Sequence, residues 1–145
     1  MRVSIATDHN GVIEKQELIT FLKEMNVEVI DCSENNTPTD DYPDFALVVA
    51  NKVASKECDL GILLCGTGIG MSIAANKVKD IRCAKVSSVD EARLSKEHNN
   101  ANVIALSYKE EMTKLKEMIK IFIETSFSNE ERHIRRVSKI TSLES

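Results

Sequence analysis

Residues 60–77 read LGILLCGTGIGMSIAANK. An apolar run of strand length ends on Cys65, three glycines (Gly66, Gly68 and Gly70) crowd the next turn, and a helix-forming stretch begins at once. Glycine inside ordered structure costs conformational entropy, so this density marks a place where backbone bends tightly or is approached closely. A helix that starts just after such a turn presents unpaired N–H groups and a partial positive charge, a setting for a small anion.

Outward from this stretch, short β-branched runs recur at residues 3–7 (VSIAT), 27–31 (VEVID), 83–86 (CAKV) and 102–106 (NVIAL). Between them apolar residues fall at helical spacing: Leu18, Ile19, Leu22 and Met25, then Phe45, Val49 and Val53, and later Leu115, Met118, Ile119 and Phe122. Strand and helix alternate, which predicts an α/β fold: a single-domain Rossmann-like three-layer sandwich around a five-stranded parallel sheet, built from right-handed crossovers. The expected strand order is 2-1-3-4-5, followed by a C-terminal helical tail. In that order the sheet reverses between its first and third strands, so the loops holding Thr7, Asp8 and His9 and holding Cys65 to Gly68 face each other across one crevice. Residues 33–40, SENNTPTD, read as a polar loop before a helix starting near Pro43.

The chain has 145 residues, enough for one core, and one domain spanning 1–145 is expected. With 42% hydrophobic and 29% charged residues and no apolar run of membrane-spanning length, the expectation is a cytoplasmic protein with no membrane partner. A net charge of -4 and 4% aromatics argue against a nucleic-acid partner. The four cysteines, Cys32, Cys58, Cys65 and Cys83, form no C-x-x-C pair and read as free thiols. His9, His98 and His133 show no metal-ligand spacing with Cys65 or with one another, so no metal is expected.

Four chemistries compete for the glycine turn. A dinucleotide site would need G-x-G-x-x-G after the first strand and an acidic residue where Lys85 and Val86 stand. A Walker loop would need Gly-Lys-Ser/Thr. A cysteine phosphatase would need an arginine six positions after Cys65, where the chain has Met71. What remains is a thiol at a helix mouth, eased towards its thiolate and able to serve as a base on a carbon acid while loop N–H groups meet the oxyanion. Thr67 adds a hydroxyl that can relay a proton. Each residue also has a purely structural reading: a buried thiol for Cys65, a helix cap for Asp8-His9 and for His98, a solvated basic face for Arg132, Arg135 and Arg136.

Taken together, D-H at Asp8-His9, D-Y-P at residues 41–43, C-G-T-G-I-G-M-S-I-A-A-N-K at residues 65–77, H-N at His98-Asn99, N-V at Asn102-Val103 and R-H-x-x-R at residues 132–136 resemble the ribose/galactose phosphate isomerase family, and within it the type-B ribose-5-phosphate isomerases. The resemblance covers residues 1–137 and implies an aldose–ketose isomerase without cofactor. It implies Cys65 as the base, with Thr67 and the amides of Gly66, Gly68, Ile69 and Gly70 as the anion hole. It makes His98 the ring-opening residue assisted by Asp8, with Asn99 holding hydroxyls. His9, Arg132 and Arg136 would bind the phosphate with His133 close by, and Tyr42 would line the pocket. Lys109 stands where many relatives carry an arginine, and Ser107 replaces a glycine; SEN at residues 33–35 is similar to one galactose-6-phosphate isomerase subunit. The implied substrate is ribose 5-phosphate or ribulose 5-phosphate, the alternatives being allose 6-phosphate or galactose 6-phosphate, or phosphosugar binding without turnover. The family's homodimers or dimers of dimers share active sites between subunits, so the tail at residues 128–145 would contact a partner subunit.

Overall fold

The computed structural model describes residues 1–144. In chain order the elements are β1 (Arg2–Thr7), α1 (Val12–Glu24), β2 (Glu28–Asp31), α2 (Tyr42–Ala54), β3 (Leu60–Cys65), α3 (Ile69–Ala75), β4 (Cys83–Lys85), α4 (Val89–Asn99), β5 (Val103–Ser107), α5 (Met112–Glu124) and α6 (Glu131–Thr141). All strand pairs are parallel, giving the expected three-layer α/β sandwich. Among the described residues no helix is long and apolar enough to cross a membrane.

The strand order is 2-1-3-5-4, which corrects the expected 2-1-3-4-5. The reason lies in the two strands themselves. Residues 103–106 of β5 are fully buried and suit an interior strand, whereas β4 has three residues, with Ala84 half-buried and Lys85 exposed, as an edge strand should. Side-chain amides hold this short edge in place. Asn76 receives the Cys83 N–H at 2.8 Å and donates to the Cys83 carbonyl at 2.9 Å, while Asn102 accepts from the Arg82 N–H at 2.8 Å.

Alternation along β3 separates two cores. Leu60, Ile62 and Leu64 pack with α1 and α5 through Leu18, Leu22, Leu115, Met118 and Phe122. Leu63 and Cys65 face the other way, against Ala46, Val49 and Val53 of α2 and Met71 and Ala75 of α3. Crossover handedness explains the division. The chain steps in one direction from β1 to β2 and from β4 to β5, placing α1 and α4 on one face; it steps the opposite way from β2 to β3 and from β3 to β4, placing α2 and α3 on the other. Because α5, which follows β5, packs with α1, the exit from β3 turns away from the exits of both neighbours, β1 and β5, the topology that opens a crevice at the carboxyl ends of the strands beside Cys65.

Beneath the β1 exit lies a fully buried lysine. Lys15 Nζ donates to Asp31 Oδ1 at 3.0 Å, to the Ser33 carbonyl at 2.9 Å and to Ser33 Oγ at 3.1 Å, so all three of its protons are used. Ser33 Oγ in turn accepts the Thr7 N–H at 3.0 Å, tying the start of the polar loop to the end of β1. Lys15→Met keeps the apolar stem but strands the Asp31 carboxylate. It should lower unfolding free energy by about 3 kcal/mol, read by urea titration at fixed protein concentration; a loss below about 1 kcal/mol would contradict this accounting.

Candidate active site

At the carboxyl end of β3 the backbone reverses in three residues. Gly68 takes φ +82°, a conformation L side chains rarely adopt, and a Cβ there would lie 3.2 Å from the carbonyl carbon and oxygen of Ala105. This conformation aims the Gly68 N–H at Cys65 Sγ, 3.1 Å away, and lets α3 begin at Ile69. Thr67 Oγ1 accepts the Ile69 N–H at 3.1 Å and leaves its own proton for another partner. Gly70 has no side chain because the Tyr42 ring occupies the space a Cβ would need. Cys65 is buried, and its backbone carbonyl accepts from the Tyr108 N–H at 3.2 Å.

Both neighbouring exits converge on this turn. Thr7 pairs with Leu64 and Cys65 with Ser107, so Asp8 and Tyr108 leave the sheet on either side of the thiol. Ser107 Oγ donates to the Gly66 carbonyl at 2.7 Å and accepts the Lys109 N–H at 3.1 Å, so this serine staples the loops after β3 and β5 together. The Tyr108 ring spans the crevice, 3.0 Å from a Cβ built on Gly11 and, through its hydroxyl, 3.6 Å from one built on Gly66. Burial first, then Asp8 and Cys65, push this phenol above its ordinary pKa, so at pH 7 it stands as a neutral hydroxyl. Asp8 is no helix cap: α1 is capped by Gly11, and Asp8 Oδ1 accepts from the Asn10 N–H at 2.9 Å in an Asx turn.

His9 is held by a carboxylate from the polar loop. Asp40 Oδ1 lies 2.8 Å from His9 Nδ1 and accepts the His9 N–H at 3.2 Å; Oδ2 accepts from Asn36 Nδ2 at 2.9 Å and from the Thr37 N–H at 3.1 Å. Burial alone would raise the Asp40 pKa, but the hydrogen bonds from Asn36, His9 and Thr37 outweigh it and hold the carboxyl below its ordinary value.

The remaining site candidates sit elsewhere. α4 opens with Ser88 Oγ accepting the Glu91 N–H at 3.1 Å while the Glu91 carboxylate receives the Ser87 N–H at 2.7 Å, and it ends where Asn100 adopts φ +47°. Its last turn carries His98 and Asn99. Arg82 Nε caps that turn by donating to the Asn99 and Asn100 carbonyls, both at 3.0 Å. Because α4 leads into β5, His98 and Asn99 lie at the amino edge of the sheet, roughly 17–20 Å from its carboxyl edge. α6 docks here through His133, buried with its ring centroid 4.3 Å from that of His98 and its Nδ1 2.6 Å from Ser128 Oγ. Arg132 and Arg136 are exposed on the same helix, Arg132 pairing with Glu130 at 3.0 Å. One chain thus brings together Asp8, His9, Tyr42, Cys65, Gly66, Thr67, Gly68, Ile69, Gly70 and Lys109 at one edge, and His98, Asn99, Arg132, His133 and Arg136 at the other.

The sequence reading missed Tyr108 and Asp40. A tyrosine directly after a buried strand was the available signal for Tyr108; Asp40 lay in a segment read only as a connector. The four cysteines are free. Burial pushes the Cys32 thiol up to about 11 and Cys83 up to about 12, and raises Cys58, as inert core thiols should behave.

Burial, then His98 and Arg132, hold the His133 pKa below its ordinary value. The unfolded chain therefore binds this proton more readily, so docking of α6 is undisturbed above the ordinary histidine pKa of about 6.5 and weakens as pH falls below it. Hydrogen exchange of the α6 amides should accelerate, relative to those of α5, between about pH 6.5 and 5. Equal protection at both pH values would refute this linkage.

Comparison with known proteins joins the two edges to one lineage. The ribose/galactose isomerase family model matches residues 3–140. Ribose-5-phosphate isomerase B of Escherichia coli is 41% identical over 144 residues, covering 99% of this chain and 96% of the relative. The solved ribose-5-phosphate isomerase B of Clostridium thermocellum superposes with a TM-score of 0.95 at 43% identity, covering 99% of this chain and 97% of that one. The Mycoplasma genitalium ribose-5-phosphate isomerase B, solved with bound ribulose-5-phosphate, gives a TM-score of 0.93 at 40% identity, covering 99% and 95%. Matched by the family model over residues 3–140 and sharing fold and length with these proteins, the chain belongs to the ribose/galactose isomerase family.

Proposed function

We propose that the protein is an aldose–ketose isomerase that interconverts ribose 5-phosphate and ribulose 5-phosphate, with Cys65 as the base. The observation that carries this reading is the buried Cys65 sulfur receiving the Gly68 N–H at 3.1 Å in the crevice between three converging loops. A relative solved with ribulose-5-phosphate supplies the substrate class.

In this mechanism the Cys65 thiolate takes the proton from C2 of the open-chain aldose. The C–H electron pair becomes the C1–C2 double bond, and the carbonyl oxygen on C1 takes the negative charge. N–H groups of the turn from Gly66 to Gly70 meet that charge where it develops. The thiol then returns the proton to C1, while the proton on the C2 hydroxyl passes to the C1 oxygen, Thr67 Oγ serving as relay. No electrons leave the sugar. His98 and Asp8 assist ring opening, Asn99 holds hydroxyls, and His9, Lys109, Arg132 and Arg136 anchor the phosphate, with Tyr42 as a pocket wall.

The two edges of one chain require two chains for one site. Catalysis would pair the Cys65 edge of one subunit with the His98 edge of another in a homodimer. Exposed apolar side chains beside the thiol support this: Tyr42, Leu47 and Val48 on α2, and Ile69 and Ile73 on α3, the last 60% exposed. The single domain would reach its partner through the tail, where Ile134 and Ile140 remain exposed while His133 is the residue α6 buries.

Purified protein should convert ribose 5-phosphate faster than allose 6-phosphate or galactose 6-phosphate, and Cys65→Ala should reduce turnover to background. Wild-type rates in Cys65→Ala would remove the base assignment. Co-refolding equal amounts of inactive Cys65→Ala and His98→Ala chains should restore about a quarter of wild-type activity, because half the dimers are mixed and each mixed dimer rebuilds one intact site. No recovery would place Cys65 and His98 in one chain's site or in none.

A further inference from the structure

The polar segment at residues 33–41 looks like a connector, yet Ser33, Asn36 and Asp40 turn their side chains back onto the end of β1 and the residues that follow it. Ser33 is fixed by Lys15 and Thr7 at one end. Asn36 Nδ2 donates to the Thr7 carbonyl at 2.9 Å and to Asp40 Oδ2 at 2.9 Å, so the middle of the loop is tied both to the end of β1 and to the carboxylate. The Asp40 side chain is only 8% exposed, whereas the imidazole it holds is 36% exposed. A nearly buried carboxylate thus backs a histidine that is itself partly open to solvent.

The division of labour at Asp40 is specific. One oxygen takes both the ring and the main chain of His9, fixing the imidazole relative to its own backbone; the other takes Asn36 and Thr37 and keeps the carboxylate from rotating. A carboxylate with four donors is an acceptor only, so the 2.8 Å contact needs a proton on His9 Nδ1. Nε2, on the opposite edge of the ring, is then the nitrogen left for a ligand, and the carboxylate behind Nδ1 fixes the plane and direction of the ring.

We infer that Asp40 is a positioning residue: held by Asn36 and Thr37, it occupies Nδ1 and fixes the ring orientation of His9, so that Nε2 is the nitrogen that meets the phosphate of the substrate. This rests on the reading of His9 as a phosphate ligand and adds the device that aims it. Nothing in the sequence ties Asp40 to His9, since 31 positions separate them.

The test is a double-mutant cycle on the full-length protein with His9→Ala, Asp40→Asn and the combined variant, and with Asp40→Ser as a second truncation of the carboxylate. The readouts are KM and kcat for ribose 5-phosphate and the inhibition constant of inorganic phosphate. Either Asp40 variant should raise KM and the phosphate inhibition constant about ten-fold, the size of one charge-assisted hydrogen bond, with the loss concentrated in KM. In the His9→Ala background the same changes should have no further effect, because Asp40 acts through the imidazole. Additive losses, or a fall in kcat with KM unchanged, would overturn the inference; a loop that merely unravels gives additive losses. Should the wild type fail to turn over ribose 5-phosphate, the isomerase reading fails by itself, and calorimetric titration of inorganic phosphate into the same variants still decides the role of Asp40. Absence of phosphate binding by the wild type, or equal affinity in wild type and Asp40→Asn, would overturn it.

Discussion

Because a crossover between parallel strands is right-handed, the direction in which the chain steps along the sheet fixes the face on which each helix packs. Here the step after β3 opposes the step after β1, and α5, which follows β5, packs with α1 on the opposite face from α3. The turn after β3 accordingly bends away from the β1 and β5 exits, and the gap that results is the one place where Cys65 can meet groups from three loops. The reversal between β1 and β3 brings the Asp8 loop beside the thiol. The Ser107–Tyr108 loop joins on the other side because β4, short and exposed at Lys85, takes the edge and leaves β5 the interior position.

Much of what resembles catalytic machinery in the motifs is scaffolding for that arrangement. Asn76, within the SIAANK run, spends its amide on the backbone of Cys83 and so fixes the edge strand. Asn102 does the same for Arg82, and Arg82 then closes α4 at the two carbonyls beside His98. Polar residues placed on backbone groups in this way specify one register, since an amide bonded at both ends has no second arrangement of equal energy. The chemistry-bearing residues are few, and they are held by many that never approach a ligand.

The sequence made the layers, five strands and the Cys65 turn legible because these depend on local signals: apolar runs, helical spacing and three glycines. The order of β4 and β5 was not legible, because both read as short β-branched runs and only their relative burial distinguishes them. Asp8 and Cys65 could be placed together from topology. His98 and the tail arginines could be assigned roles only through family resemblance, since within one chain they lie at the far edge of the sheet. Tyr108 and Asp40 escaped notice because each acquires meaning from a contact made by folding, with Gly11 and Gly66 in one case and His9 in the other.

Lys15 illustrates how far such influence extends. Fully buried, with its three donors consumed by Asp31 and Ser33, its four-carbon stem acts as a gauge for the gap between α1 and the start of the polar loop. A longer or shorter side chain would reset that gap, and with it the Ser33 contact to Thr7 at the root of the Asp8-His9 exit. Any survey of variants scored by activity alone would therefore group Lys15 with residues that touch the sugar, although its cation is sealed from solvent and substrate. Interior residues of this kind set the tolerances of a site, and their signature is a loss of function that follows geometry and not charge.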